Sequence, residues 1–469
     1  HQQHHGTGKT GRKEKDQLMS RKKWALLLLL VLLGFGYVKL FYKTWNKTRV
    51  PASADAVLVL DVKRVTNTLI WQFLSTPSKW KTGNLFSKRS KDTSWRDMFK
   101  LPDYVFAFHA KNQSLNNWYT VLSMDSRKGF EAGLAKFAFR RINDREYTNK
   151  EAGLYLYVHD DNEVLLARAP AADSLSVRQV AHELFTEKKF MAGSEIRKAI
   201  DAKSHLSLYI APGSALRETG IFTLNFDKES LRIKGDITPA QPYLYAEENF
   251  LYAPESLSSA GLVQPPQELL ERMGTETKER ISKALGLNAD SFFVASNRSY
   301  SIDLQSIRER QDTAITYTYD DDFNPVENKV LNTVREPAFS FFANGAHTDS
   351  IYQYLLRNQK LENGAGGMVF LPMPLVRSYC RQDKPGSLTI TAFNYQPRTA
   401  SASVKALLFI RLSVAAIPPD LLRYLPDAVS DRCRNIEEFR LTVNNTDNRS
   451  LHVSGMLTKK KNALLLFDF

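Results

Sequence analysis

The residues of this 469-residue chain that could do chemistry form a few short constellations. Ser78-Lys79-Trp80-Lys81 fits S-x-x-K and Lys81-Thr82-Gly83 fits K-T-G, both motifs of penicillin-binding proteins. In those proteins the two motifs lie far apart in the chain and meet in space; here they share Lys81, which cannot fill both positions. Asp320, Asp322 and Asn324 take the first, third and fifth places of a calcium loop. Pro325 stands where that loop needs glycine and Leu331 where it needs a bidentate glutamate, so the stretch reads as a solvated turn between a strand and a helix. Gly6-Thr7-Gly8-Lys9-Thr10 suggests a phosphate cradle, but Gln3 occupies the place of its first glycine and no strand precedes it. The histidines form no H-E-x-x-H pair. His205 and His452 lie within strand patterns, and His159-Asp160-Asp161 has turn chemistry. No G-x-S-x-G occurs. An enzyme is not expected, and no catalytic, cofactor-binding or metal-binding residue is assigned.

Two features remain. Residues 78–100 carry seven basic residues against Asp92 and Asp97, with Trp80, Phe86 and Trp95 interleaved. Lys79, Trp80, Lys81, Lys88, Arg89, Lys91 and Trp95 form a candidate ligand-contact loop for an anionic lipid headgroup or an acidic polymer. The alternative is a solvated loop whose aromatic rings pack on the core. Cys380 and Cys433 are either one disulfide or two thiols, because spacing does not place their Cα atoms within bridging distance.

The net charge of +14 needs dividing: residues 1–49 hold eleven basic and two acidic residues, nine of those charges. A nucleic-acid binder carries its excess on the folded domain, so no nucleic-acid partner is expected. The basic residues flank the apolar run 24–42, marked by Trp24, Leu28, Leu32, Tyr37 and Tyr42. About twenty such residues cross the hydrocarbon core, and Arg21, Lys22 and Lys23 favour a cytoplasmic N-terminus. No small-residue cleavage site follows the run, which argues for an uncleaved signal-anchor over a signal peptide. Met19 reads as a natural start, with residues 1–18 upstream of it.

Beyond the anchor, strand and helix patterns alternate. Ala56–Val62 reads as a buried strand followed by a helix, and Tyr104–Phe108 and Trp118–Leu122 as strands. Leu154–Val158 and Val164–Ala167 form a hairpin about His159–Asn162, and Ser291–Val294 reads as a strand. The segments 223–238 and 440–458 echo each other: both are hairpins whose second strand has the pattern S-L-x-[IV]-x-G-x-[IL]-T. The expected fold is α+β: an N-terminal transmembrane helix followed by two duplicated antiparallel-sheet-plus-helix units. The expected boundaries are a cytoplasmic basic tail at 1–23, the anchor at 24–42, and extracytoplasmic units at 51–240 and 260–469.

The order of an anchor, AVLVLDVKRVTNTLIWQFL, EVLLARAPAADSLSVRQVAHELF and HLSLYIAP resembles bacterial membrane-anchored extracytoplasmic (periplasmic) domains of unknown function, mainly over 51–238. That resemblance implies an envelope location and supplies no catalytic residues. The resulting expectation is a single-pass inner-membrane protein with a periplasmic body, acting as a non-catalytic binding or assembly component with an envelope protein partner. The alternatives are a lipid or envelope-polymer binder using 78–100, and a cryptic hydrolase. No cofactor is expected.

Overall fold

The apolar run Ala56–Leu60 lies in the strand Ala54–Asp61 (β1), most of whose positions are buried. Asp61 ends the strand and starts the helix Val62–Ser75, its Oδ1 accepting the backbone N–H of Arg64 at 2.9 Å. The computed structural model describes residues 42–75, 95–160, 162–168, 174–214, 219–239, 246–263, 273–293, 297–319, 322–373, 376–397, 402–422, 433–447 and 449–461. They divide into two units, at His205 and Leu206.

In the first unit β1 is joined by Phe99–Lys100 (β2), Tyr104–Ala110 (β3), Trp118–Met124 (β4), Arg140–Arg141 (β5), Glu146–Asn149 (β6), Leu154–Val158 (β7) and Glu163–Arg168 (β8). All pair antiparallel in the order β1-β3-β4-β8-β7-β6-β5, with β2 against the end of β4. The helix Arg127–Lys136 is started by Ser126, whose Oγ accepts from the Gly129 amide at 3.1 Å. It buries Phe130 and Leu134 against Met98, Phe99, Leu156 and Val164.

The second unit contains Leu206–Ile210 (β9), Thr219–Phe226 (β10), Ser230–Thr238 (β11), Glu248–Tyr252 (β12), Ser258–Val263 (β13), Asn297–Tyr319 (β14), Pro325–Gly345 (β15), Leu361–Gly364 (β16), Gly367–Phe370 (β17), Ser378–Arg381 (β18), Ser387–Ala392 (β19), Ala402–Ala406 (β20), Leu408–Leu412 (β21), Ile436–Asp447 (β22) and Ser450–Lys459 (β23). The antiparallel order is β9-β10-β11-β23-β22-β21-β13-β14-β15-β19-β18-β17-β16, with β12 and β20 paired separately. The helix Thr348–Arg357 lays Ile351 and Leu355 into a core with Phe292, Tyr300, Phe339, Leu388 and Ile390.

One pairing order occurs twice. The series β1-β3-β4-β8-β7-β6-β5 matches β13-β14-β15-β19-β18-β17-β16 strand for strand. The helices Val62–Ser75 and Arg127–Lys136 take the same places as Thr275–Leu285 and Thr348–Arg357. The matching hairpins differ in length: β3 and β4 have 7 residues each, β14 and β15 have 23 and 21. The two echoing hairpins, β10–β11 and β22–β23, meet through their second strands, which place Ile233 opposite Gly455 and Gly235 opposite Val453. Gly235 clears room for a large neighbour, since a Cβ there would lie 2.4 Å from the Phe222 ring, while a Cβ on Gly455 would meet Ile233 Cβ at 3.3 Å, a tight contact.

The α+β class is roughly consistent with these units, but the chain is mostly antiparallel sheet and the expected transmembrane helix is corrected. No helix among the described residues is long and apolar enough to cross a membrane. Trp24, Leu28, Leu32 and Tyr37 lie outside the described residues. Tyr42 is exposed in a non-helical segment, which the Lys43–Asp61 ion pair and the Thr44 amide, donating to Asp103 Oδ2 at 2.8 Å, tie to the first unit. The single-pass signal-anchor reading, and the inner-membrane placement drawn from it, are not carried forward. Of the stretch Ser291–Val294, expected as a strand, Ser291–Phe293 falls instead on the helix Ala289–Phe293, where Asn288 Oδ1 accepts from the Ser291 amide at 3.1 Å, and Val294 lies outside the described residues.

Gly235→Val drives a branched side chain into the Phe222 ring and should destabilise the second unit by about 1–3 kcal/mol. In a Phe222→Ala background the same substitution should cost far less, as urea denaturation of the four-variant cycle would show.

Candidate functional site

Most of the residues flagged from sequence lie outside the described residues. Lys79, Trp80, Lys81, Lys88, Arg89 and Lys91 lie outside the described residues, as do Ser78 and Gly83. Trp95 stacks on Phe137, with ring centroids 4.5 Å apart, and on Phe99 at 5.9 Å. Its place beside the core of the first unit is the packing expected of a loop aromatic. Asp322 and Asn324 sit in the turn of a hairpin, so that turn joins two strands rather than a strand and a helix. The possible disulfide is also corrected: Cys380 and Cys433 are free thiols. Cys380 is buried among Phe370, Leu388 and Ile390, and burial pushes its thiol up to about 12. His205 Nε2 lies 2.6 Å from the Thr68 hydroxyl, and His452 Nδ1 lies 2.7 Å from Asp236.

Three polar clusters were not visible in the sequence. At the start of β1 a bulge between Ala54 and Ala56 shifts the register against β3 and turns Asp55 inward, where its Oδ1 meets His109 Nδ1 at 2.6 Å. Asp55 and His109 are 0% and 2% exposed. This pair looks like the orienting half of an acid-base device, but His109 Nε2 faces the Ser114 carbonyl at 3.1 Å. Both ring nitrogens are therefore committed to acceptors, and the arrangement clamps the 111–117 turn rather than moving a proton. In the second cluster Arg178 holds Glu146 bidentately, Nε to Oε1 at 2.7 Å and Nη2 to Oε2 at 2.8 Å, with Asn143 Nδ2 donating at 2.7 Å. The hydrogen bonds from Arg178 outweigh burial and hold the Glu146 carboxyl below its ordinary value, while burial and the Glu146 carboxylate push Tyr155 up to about 12. In the third, Asp303 accepts from Ser256 at 3.0 Å, Ser259 at 2.7 Å and Tyr395 at 3.2 Å. Burial, with Asp303 beside it, pushes the Tyr395 hydroxyl up to about 12. All three clusters join separate elements of one unit, which is what their satisfied geometry does best.

What stands apart is the far end of the β14–β15 hairpin. β13 pairs with β14 only as far as Leu304, and β19 with β15 only from Ser340 onward. From Ser306 to Phe339 the two strands continue as a ribbon that no other described strand borders. Its base is fixed by a bulge between Leu304 and Ser306: the buried Gln305 donates to the Gln396 carbonyl at 3.0 Å and accepts from its amide at 3.4 Å. Beyond the base, Arg310 pairs with Glu336 at 2.7 Å and Glu309 with Arg335 at 3.5 Å.

The ribbon keeps its strand form because Thr313–Tyr319 is a run of β-branched and aromatic residues with one alanine. Its apolar side chains nevertheless face solvent. Ile315, Tyr317, Val326, Val330, Leu331 and the turn residue Phe323 range from 39% exposed at Val330 to 83% at Phe323. Phe323 also holds a left-handed φ of 62°, an uncommon conformation for a bulky residue. By register, Thr313, Ile315 and Tyr317 share one face with Leu331, Lys329 and Glu327. At the ribbon base, Arg310, Glu336, Val376, Arg377, Phe393 and Asn394 line a pocket of about 170 Å³, below the ~300 Å³ at which small-molecule sites begin. The arrangement suits a macromolecular contact better than an enclosed ligand. The signal that could have found the ribbon is the alternation in 313–319, which the flanking charges of 308–312 and 320–322 obscure.

No known family model matches this chain, and no curated protein matches it. Solved structures of TP0453 are distantly similar. Crystal form IV is 11% identical over 40% of this chain and 81% of that chain, with a TM-score of 0.23. Crystal form III is 10% identical over 52% and 88%, with a TM-score of 0.24, and crystal form I is 8% identical over 76% and 92%, with a TM-score of 0.20. Scores this low carry no argument about fold or function.

Glu146 is lower in the folded state than its ordinary 4.5, so its pairing with Arg178 contributes fully above that value and is lost as pH falls through the depressed native one. The stability difference between the native protein and Glu146→Gln should therefore stay constant from about pH 6 to 8 and shrink below about pH 4, read from urea midpoints across that range.

Proposed function

We propose that this protein is a non-catalytic binding or assembly component whose contact element is the β-ribbon 306–339. The observation that carries this reading is the comparison of matching hairpins. β3–β4 completes its sheet with 7 residues a strand, so the extra length of β14–β15 adds nothing the sheet requires. Beyond its buried base at Ala338 and Phe339 the ribbon has no third described strand and no face packed on a core, and such a two-stranded ribbon is marginal by itself in water. It also presents free backbone edges and a row of apolar side chains, the features that folded proteins ordinarily cover. Both are accounted for by a partner that completes the sheet.

The histidine and carboxylate clusters support a non-catalytic reading, because each holds two structural elements together through satisfied contacts. The basic loop at 78–100 draws no added support, since Lys79, Lys81, Lys88, Arg89 and Lys91 lie outside the described residues.

Replacing 309–335 by an Asn-Gly turn should leave a short hairpin, 297–308 with 336–345, in a protein that still unfolds cooperatively. In-cell chemical crosslinking followed by purification should then yield the shortened protein without the stoichiometric complexes of the full-length form. Complexes unchanged by the shortening would refute the ribbon as the contact element.

A further inference from the structure

We propose that the partner at the ribbon is a second copy of this chain, added through the outer edge of β15 with Val326–Val330 running antiparallel to itself about Asn328. This rests on the reading of the ribbon as a binding element and names its occupant.

The argument begins with the residues on that edge. Val326-Glu327-Asn328-Lys329-Val330 is the same forwards and backwards except at the two charged positions, where the signs are opposite. A twofold axis through Asn328 sets Val326 against Val330 of the second copy and Glu327 against Lys329 of the second copy, and the reverse pairs by symmetry. Each copy thus meets the other with a matched apolar pair and a matched ion pair at both ends, the self-complementarity that an isologous interface demands. Shifting the register by one residue removes the symmetric charge pairs and turns every side chain to the wrong face, so the pattern selects one alignment.

The geometry allows it. Val326–Val330 pairs with β14 along one edge only, Val326 opposite Thr318 and Val330 opposite Ala314. Its other edge borders no described strand. The faces then sort themselves. Glu327 lies opposite Tyr317, whose hydroxyl reaches Glu327 Oε1 at 3.5 Å, and Lys329 lies opposite Ile315. In a four-stranded sheet of β14, β15 and their two copies, the ion pairs fall on the face that carries Ile315 and Tyr317. Val326, Asn328 and Val330 fall on the other. The sheet has the strand number at which such a structure becomes stable in water, which the ribbon alone does not reach.

The outer edge of β14 does not offer the same device. Arg310 is already paired with Glu336 and Asp312, and Glu309 with Arg335. From Thr313 to Tyr319 that strand has no charge to set a register. Like charges set opposite one another are destabilising, so the pair at 327 and 329 disfavours two-residue slips that would face Glu327 or Lys329 with its own copy and favours this alignment.

The test is sedimentation equilibrium of the full chain with two charge reversals and their combination. The native protein should form a dimer. Glu327→Lys and Lys329→Glu should each weaken it about tenfold, because each places two like-charged pairs across the axis. The double variant E327K/K329E should restore it. As a second readout, Asn328→Cys in a Cys433→Ser background should give a disulfide-linked dimer on mild oxidation, since residues facing across an antiparallel pair lie ~4.5–5.5 Å apart, within bridging range. Thr316→Cys, on the same face of β14 but off the axis, should not. A chain that stays monomeric, a dimer indifferent to either single reversal, or a double variant that fails to recover overturns the proposal. A monomeric chain that still loses its complexes when the ribbon is shortened would defeat self-pairing and leave the binding reading standing. Complexes that survive the shortening would defeat both.

Discussion

Backbone amides and carbonyls at the edge of a β-sheet must find partners, and the way this chain meets that constraint organises each of its units. In the first unit the strands are short, and the buried Asp55–His109 contact clamps the turn that joins β3 to β4. In the second, the edges of β11 and β23 close on each other, so that two hairpins of like sequence form one four-stranded stretch. Within the first of these hairpins Gly235 gives the Phe222 ring room across the β10–β11 pair. Like the short separate pair β12–β20, the β14–β15 ribbon has no described strand along either edge, and along 313–331 its apolar side chains are exposed on both faces.

The same constraint separates structural polar groups from functional ones. A buried carboxylate or imidazole is costly unless its hydrogen bonds are complete. Glu146, Asp303 and His109 each have several partners from different elements, so their chemistry goes into holding those elements together. Residues that meet substrates need at least one group turned toward open space. The ribbon has that property, and what it turns outward is apolar surface and backbone edge rather than nucleophiles or acids. The proposed contact role rests on that display.

Much of the sheet was legible in the sequence, and the reasons it was legible show why other parts were not. Runs such as Ala56–Leu60 and the hairpin about His159–Asn162 have one buried face and clear turn residues, so pattern and structure agree. The mid-strand glycines of the echoing hairpins were legible as places of close approach, but nothing in one strand's pattern says that the other is its neighbour. Ser291–Val294 misled because a short apolar run does not distinguish strand from helix; the Asn288 side chain, by starting a helix there, decides it. Asp55 reads as an ordinary polar residue until a bulge turns it inward, and bulges leave no periodic trace. The ribbon escaped for the opposite reason to a core strand: with neither face buried it has no demand for strict alternation, and its charges resemble a solvated loop. The apolar segment at 24–42 is conspicuous in sequence, yet the part of it that is described, at Tyr42, is non-helical and exposed.

The central claim is that the outer edge of β15 is a pairing surface and not a decorative extension. Amide hydrogen exchange along 325–333, followed at low and high protein concentration, measures this directly. The alternate amides of Val326–Val330 that face away from β14 should exchange slowly, and their protection should rise with concentration while that of β3, β4, β10 and β11 stays constant. Rapid exchange of those amides at every concentration, as for a strand edge open to water, would contradict the account.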